Sequence, residues 1–522
     1  MKRRITFIQG TESPFEPHQA VLSSSTLSVR ALEAAREDRI TFDLSDLPEE
    51  VRTVLEKSHE LRLRWASEHS YDAVPPFPSR ISPGLHVHYT PLEADKSSQG
   101  LCSFLRKAFG TEEGQYAVNC ARPQDAFITP PLLSTTIHAA SAPLQYYTEL
   151  PSLKSLVAFI RRLACHQLQA GGAECHGRAD SLLTADAVDI DYDNASHTLR
   201  VTGLWASAPT GGWTEDIHKP SSDEDQVEFG LLGVEQAIHA KDIKMGGLLA
   251  VVGKDKKLKP TMFSFPSRHH SLPMEASYTV SFNKPTGLHP TMAITMSRSA
   301  LHRPPAPEEA TCALYTYLTL PSSVFGDQYQ LGTTDPLFLQ SHNLVALRAH
   351  AGEMDLEAPD WAVQAWGSTW LFELSTPEHK PADAASNWTA TIPLHLRYLR
   401  PSESGYRAAH VPWPIIFWAC TPDDDSTMGV NPFDRTSLGW DELFAPSTMF
   451  YQLHPQTEQL VEKIDVPVLQ LKDSDGLFQA RNIELGTSAV IVLGFLWVLW
   501  RLFRVSFSRG STRNERVHDK KE

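Results

Sequence analysis

The residues best spaced for chemistry in this chain are the carboxylates of Asp189-x-Asp191-x-Asp193. Two-residue spacing on a strand turns all three to one face. A pair of carboxylates spaced that way can hold a divalent cation against a sugar nucleotide, so the chemistry would be glycosyl transfer. The same pattern also suits the solvent face of an edge strand, with Val188, Ile190 and Tyr192 turned inward. A second polar knot, Arg268-His269-His270, lies between prolines, and Gly287-Leu288-His289-Pro290 reads as a tight turn carrying an imidazole. Neither supplies the third ligand or carboxylate partner that catalysis or metal binding needs, and histidines in turns serve mostly as hydrogen-bonded structural groups. Trp361, Trp366 and Trp370 read as core rather than as a platform for sugar. HExxH, GxSxG, Walker A, GxGxxG and CxxC patterns are all missing from the sequence. No catalytic, metal or cofactor-binding residue is therefore assigned and no cofactor is expected.

The elements that would position these groups are mainly strands. Short alternating segments bounded by Pro, Gly, Asn and Asp recur along the chain, and 37 prolines weigh against long helices. Ala187 to Tyr192, a turn at Asp193 to Ser196, and His197 to Leu204 read as a hairpin. Further strands are expected at Ser277 to Phe282, Thr291 to Met296, Cys312 to Leu320 and Thr391 to Tyr398, and helices at Glu49 to Ala66 and Ser152 to Leu168. The fold class is mainly β, with β-sandwich-like domains, a few helices and one C-terminal membrane helix.

That last helix is the strongest single signal. From Leu485 to Trp500 sixteen residues carry no charge; at 1.5 Å per residue they cover about 24 Å. With Ile483 and Phe503 included, and Glu484 and Arg501 at the two interfaces, the stretch fits a thin reticulum bilayer of about 27 Å. Trp497 and Trp500 suit the interface, and Arg501, Arg504 and Arg509 follow. The last 22 residues hold seven Lys/Arg against three Asp/Glu, a local +4, so within a total of −15 the first 500 residues carry −19. Such an acidic body is no partner for nucleic acid. A basic tail is a cytosolic tail by the positive-inside rule, so the body should be luminal, yet MKRRITFIQG carries no signal core and no cleaved signal peptide is expected.

Two features bear on which side the body occupies. Cys102, Cys120, Cys165, Cys175, Cys312 and Cys420 form an even set. Cys165 and Cys175 can close a small ring, and Cys312 and Cys420 are further candidates, with fifteen connectivities open. Asn194-Ala195-Ser196 and Asn387-Trp388-Thr389 are sequons in turn-like surroundings, so Asn194 and Asn387 are candidate glycan carriers. Both tilt the body towards the lumen.

The domain plan that follows is 1–208 as an N-terminal α+β or β-rich domain, 209–225 as an exposed loop or linker, and 226–470 as a β-rich domain. A juxtamembrane linker (471–482), the span (483–503) and a basic tail (504–522) complete it.

Phe265-Pro266-Ser267-Arg268-His269-His270, Gly287-Leu288-His289-Pro290, Leu318 to Phe325 (LTLPSSVF) and Ile392 to Tyr398 (IPLHLRY) occur in that order. With them the chain resembles the PIG-X family. The likeness to its fungal branch, the protease B nonderepressible proteins, runs from Arg3-Arg4-Ile5-Thr6-Phe7-Ile8 to the C-terminal span. The resemblance implies a non-catalytic, stabilising subunit of glycosylphosphatidylinositol (GPI) mannosyltransferase I, which adds the first mannose to the GPI-anchor precursor. It further implies a multi-span catalytic partner, a glycosylated luminal body, one span in the endoplasmic reticulum membrane and no cleavable signal. Arg268, His269, Gly287, His289, Leu320 and Pro321 are family motif positions to which no catalytic role transfers. Two other readings are a general luminal chaperone for secretory-protein clients such as protease precursors, and a glycosyltransferase acting through the Asp189 to Asp193 carboxylates.

Overall fold

A computed structural model of the chain describes residues 1–10, 16–92, 99–110, 118–131, 143–165, 172–284, 287–377, 387–422, 428–429, 431–471 and 480–508. Strand residues outnumber helical ones, 41% to 22%, as the alternating pattern requires. The chain forms two compact units: Met1–Arg397 with Ala409–Ile464, and Tyr398–Ala408 with Asp465–Glu522.

The first unit is built on a ten-stranded mixed sheet. Its spatial order is Lys259–Pro266, Asp242–Val251, Gln226–Glu235, Lys2–Gln9, Ala35–Asp43, Thr198–Trp205, Ala187–Asp193, Ser58–Ala66, Gly84–Pro91 and Leu144–Thr148. Lys2–Gln9 runs parallel to Gln226–Glu235 and antiparallel to Ala35–Asp43. One face packs under the helices Gln99–Phe109 and Lys154–Leu163 around Leu61, Leu63, Trp65, Val87 and Leu105. A three-stranded sheet, Ala20–Leu22, Thr26–Leu32 and Trp213–His218, closes over another part of it through Phe7, Leu27, Val29, Ile217 and Phe229. A six-stranded sheet contains Thr311–Pro321, Gly367–Leu374 and Ile415–Thr421, and a four-stranded one contains Ser277–Phe282, Thr291–Met296 and Trp388–Pro393.

Several expectations meet different geometry. The segment 209–225 lies within this sheet system: Trp213–His218 pairs with Thr26–Leu32, and Gln226–Glu235 lies beside the first strand of the chain. Turns fall at Gly211 and at Asp223–Glu224, while Glu215 and Asp216 lie in the strand and its Trp213 and Ile217 face inward. Glu49 to Ala66 is not one helix. Glu49–Leu55 is helical and Ser58–Ala66 is a strand, because Leu61, Leu63 and Trp65 alternate with Glu60, Arg62 and Arg64 at a period of two. The second helix occupies Lys154–Leu163, and residues 166–168 of that expectation lie outside the described residues. Thr391 to Tyr398 resolves into Trp388–Pro393 and a short His395–Leu396 bridge to Val324–Phe325.

In the second unit, Val468 and Leu471 donate backbone hydrogen bonds to Gly405 and Ser402, and Arg407 donates to the Arg400 and Pro401 carbonyls. The helix Ala480–Ser508 belongs to this unit, and Arg481–Ser506 within it is long and apolar enough to cross a membrane. Its large apolar side chains, Leu485, Ile491, Phe495 and Leu502 among them, are exposed on every side. A helix hydrophobic all round and unpacked needs an apolar solvent. Of the expected juxtamembrane linker and basic tail, residues 472–479 and 509–522 lie outside the described residues.

Candidate functional site

Asp189 sits on a central strand, not on an edge. Sheet register places Arg39, Thr202, Asp189 and Arg64 in one row, and Arg200, Asp191 and Arg62 in the next. Val188 and Tyr192 are buried on the opposite face as expected, but Asp189 is itself only 5% exposed. The chain 246 residues further on supplies its main partner. Arg435 donates Nε to Asp189 Oδ2 at 2.6 Å and Nη2 to Oδ1 at 2.9 Å, a bidentate grip. Arg64 Nη1 lies 3.1 Å from Asp189 Oδ2, and its Nη2 donates to Asp191 Oδ1 at 3.0 Å. Burial alone would raise the Asp189 carboxyl, but Arg435 and Arg64 outweigh it and hold it below the usual carboxylate range. Asp193 serves the hairpin turn instead, where its Oδ1 accepts from the Ala195 backbone at 2.9 Å. Asp193 thus stands apart, while Asp189 and Asp191 share Arg64. Both oxygens of Asp189 face guanidinium groups, so the motif works as an ion-pair latch between the sheet and the segment around Arg435.

The same latch reaches the Arg268–His270 knot. Arg435 Nη1 donates to the Ser79 carbonyl at 2.8 Å, and the Arg64 guanidinium donates to the carbonyls of Thr436 and Ser437. Next to Arg435, Asp434 places Oδ1 3.9 Å from His269 Nε2. Burial and the neighbouring Asp441 raise the Asp434 carboxyl to about 6, against the pull of Arg268. His269 is 4% exposed, with Trp440 edge-on and Phe450 stacked at ring distances of 5.6 and 5.5 Å. Burial, reinforced by Arg268, pushes its pKa well below the ordinary value, so the imidazole is neutral. Arg268 donates to the carbonyls of Asp441, Ala445 and Thr448. This motif therefore pins the 434–450 segment, which is a structural use of a polar knot.

The other motif positions lie apart from it. Gly287 has φ +53°, the left-handed turn conformation that glycine adopts without strain. His289 and His395 meet Nδ1 to Nδ1 at 3.1 Å, and the His395 ring stacks on Phe325. Leu320 and Pro321 end the strand Thr311–Pro321 opposite Ser368 and Gly367. A Cβ on Gly367, whose φ is +151°, would lie 2.1 Å from the Leu320 carbonyl oxygen. Trp366 and Trp370 are core residues, while Trp361 is exposed.

The cysteines form three disulfides: Cys102–Cys120, Cys165–Cys175 and Cys312–Cys420, the last joining directly paired residues of adjacent strands. Asn194 lies partly exposed in the hairpin turn, and Asn387 is exposed just before the strand Trp388–Pro393. No motif marks Arg64 or Arg435. The alternation of Leu61, Leu63 and Trp65 shows Arg64 to face its own side of the sheet, whereas nothing in the sequence pairs Arg435 with Asp189.

Among known proteins, the PIG-X / PBN1 family description matches residues 285–503. "Protein pbn1" of Aspergillus oryzae is 53% identical over all of this chain and 99% of the relative. The chain belongs to the PIG-X / PBN1 family. "Protein pbn1" of Neurospora crassa is 37% identical over 98% of this chain and 96% of the relative, and "Protein PBN1" of Saccharomyces cerevisiae is 25% identical over 56% and 62%. The PIG-X / PBN1 match takes in Gly287, His289, Leu320, Pro321, the Cys312–Cys420 bridge and the apolar helix. Of the Asp189 latch, Arg435 lies inside that match while Asp189 and Arg64 lie outside it, and all three fall within the full-length alignment to the Aspergillus relative.

Proposed function

We propose that this chain is a non-catalytic subunit that stabilises GPI mannosyltransferase I, the enzyme adding the first mannose in GPI-anchor biosynthesis. The observation that carries the reading is family membership along the whole chain, joined to a body whose one enzyme-like carboxylate motif is spent on Arg435 and Arg64. The body stands in the lumen of the endoplasmic reticulum with glycans on Asn194 and Asn387, and the apolar helix crosses the membrane to a short basic cytosolic tail. Its partner is the multi-span catalytic subunit. A folded protein that binds only the folded form of its partner stabilises it by mass action, so losing the subunit lowers the amount of transferase without altering its active site.

The test is to express the tagged chain and its Asn194→Gln/Asn387→Gln variant in eukaryotic cells, and to compare endoglycosidase shifts and co-purification with the catalytic subunit. A shift abolished by the substitutions, with the catalytic subunit recovered, supports the reading. An unglycosylated chain that does not recover that subunit overturns it.

A further inference from the structure

Trp361 and Leu356 are large apolar side chains that the fold leaves in water, 49% and 46% exposed. The two other tryptophans of PDWAVQAWGSTW differ: Trp366 and Trp370 are buried and donate their indole N–H groups to the Gln145 carbonyl and the Ser368 hydroxyl, each at 2.9 Å. Both exposed side chains belong to the loop 353–366, which joins the adjacent antiparallel strands Leu344–Gly352 and Gly367–Leu374. A hairpin needs about two to five residues for that connection, and a longer ordered loop generally carries function.

This loop is held in shape from beneath. Arg397, 2% exposed, donates Nη1 to the carbonyls of Asp355 and Ala358, and its guanidinium lies 4.2 Å from the centroid of the Phe325 ring. Ser322 donates its hydroxyl to Asp360 Oδ1 at 2.6 Å and its N–H to the Trp366 carbonyl at 2.9 Å. Inside the loop, Glu353 Oε1 accepts from the Asp355 N–H, and Asp355 Oδ1 accepts from the N–H groups of Glu357 and Ala358. Burying a guanidinium is costly, and two carbonyls offset only part of that cost, so the fold gives up stability to fix the shape of this loop. Both holding residues come from segments that carry the family resemblance, Ser322 from LTLPSSVF and Arg397 from IPLHLRY, and the loop lies within the residues matched to PIG-X / PBN1.

The loop is also acidic. Among the described residues Glu353, Asp355, Glu357 and Asp360 form no ion pair. Arg397, on which Glu353, Asp355 and Asp360 act from beyond ion-pair distance, offsets only part of their charge. We propose that this loop is the face on which the chain docks a basic segment bearing apolar residues, supplied by a luminal loop of its catalytic partner. The proposal rests on the assembly role given above. Trp361 and Leu356 are the apolar anchors, since interface energy concentrates on tryptophan and a surface already fixed in shape loses little entropy on binding. The carboxylates of the same loop favour Lys and Arg on the other side.

The experiment co-purifies the catalytic subunit with the tagged full chain from eukaryotic cells. Trp361→Ser combined with Leu356→Ser should lower recovery at least about tenfold, with the thermal midpoint of the purified chain unchanged, and Glu357→Lys should lower it about threefold. Ile238→Ser, at an apolar residue 89% exposed outside the PIG-X / PBN1 match, should leave recovery unchanged. Undiminished recovery by the folded double variant overturns the docking face, as does an equal loss with Ile238→Ser. If the double variant does not fold, a photo-crosslinking amino acid at Leu356 of the otherwise unaltered chain decides. Crosslinks to a segment of the catalytic subunit with Lys or Arg among apolar residues support the proposal, and crosslinks elsewhere, or none in a complex that forms, overturn it. An unaltered chain that recovers no catalytic subunit overturns the assembly role itself and the proposal with it.

Discussion

Arg435 grips Asp189 through two parallel hydrogen bonds across 246 residues of chain, and Arg64 approaches the same carboxylate from the neighbouring strand. Removing the anion leaves two buried guanidiniums facing each other. Asp189→Asn should therefore lose about 3–5 kcal/mol of stability, read from the urea midpoint of the body. A midpoint within error of the unaltered chain would show that the latch is solvated and contributes nothing.

Asp434 gives the fold a distinct pH dependence. Its carboxyl is raised to about 6 in the folded chain from an ordinary 3.8, so its favourable contribution is complete below about pH 4 and is lost as pH rises through 6. The buried neutral imidazoles of His86, His88 and His269 work the other way, since burial lowers each pKa and the fold is penalised as pH drops below 6.5. Comparison with Asp434→Asn isolates the carboxyl. The stability of the variant relative to the unaltered chain should grow between pH 4 and 7 in denaturant titrations, and a constant difference would contradict the assignment.

The Leu320–Pro321 motif depends on Gly367 opposite it. A methyl there would meet the Leu320 carbonyl and force an L-residue to hold φ +151°. Gly367→Ala should cost about 1–3 kcal/mol from backbone strain alone, seen as a lower thermal midpoint, whereas Gly233→Ala, with nothing within 4 Å of its added Cβ, should cost about 1 kcal/mol or less.

The disulfides should differ in worth. Cys312–Cys420 closes a loop of 108 residues and Cys165–Cys175 one of 10. The chain-entropy account gives about 4.7 kcal/mol for a 100-residue loop and about 3 for a 15-residue one. Replacing Cys312 and Cys420 together by Ala should lower the urea midpoint further than replacing Cys165 and Cys175. The reverse order would mean that native packing around the short bridge outweighs loop closure.

What is legible in the sequence is local. Ser277–Phe282 and Thr291–Met296 stand where alternation puts them, because a half-buried strand writes its period into four to eight residues. The apolar helix is legible for the same reason, since sixteen uncharged residues need no partner to be recognised. Ser58–Ala66 reads as helix from sequence because charges beside Leu61 and Leu63 satisfy either period over so short a run. The site is hidden for a different cause. Asp189 looks solvent-facing since its neutralising groups, Arg64 and Arg435, come from another strand and from a segment 246 residues away, and no local pattern records such a pairing.

The helix Arg481–Ser506 carries a prediction of its own. Val490 and Leu493 lie near its middle, both more than 60% exposed, with no described protein surface to cover them. If this helix is the anchor, an aspartate at either position enters the hydrocarbon core at about 2.5–3.5 kcal/mol, whereas the same change on a helix that merely projects into water is nearly free. Val490→Asp combined with Leu493→Asp should shift the chain from the carbonate-resistant membrane fraction to the supernatant, while Thr487→Asp, nearer the N-terminal end of the helix, should shift it less. Flotation on a sucrose gradient distinguishes true membrane integration from pelleted aggregate. A doubly substituted chain that still floats with membranes after carbonate would mean that attachment rests on the body or its partner, and the helix would then need another explanation for its exposed apolar surface.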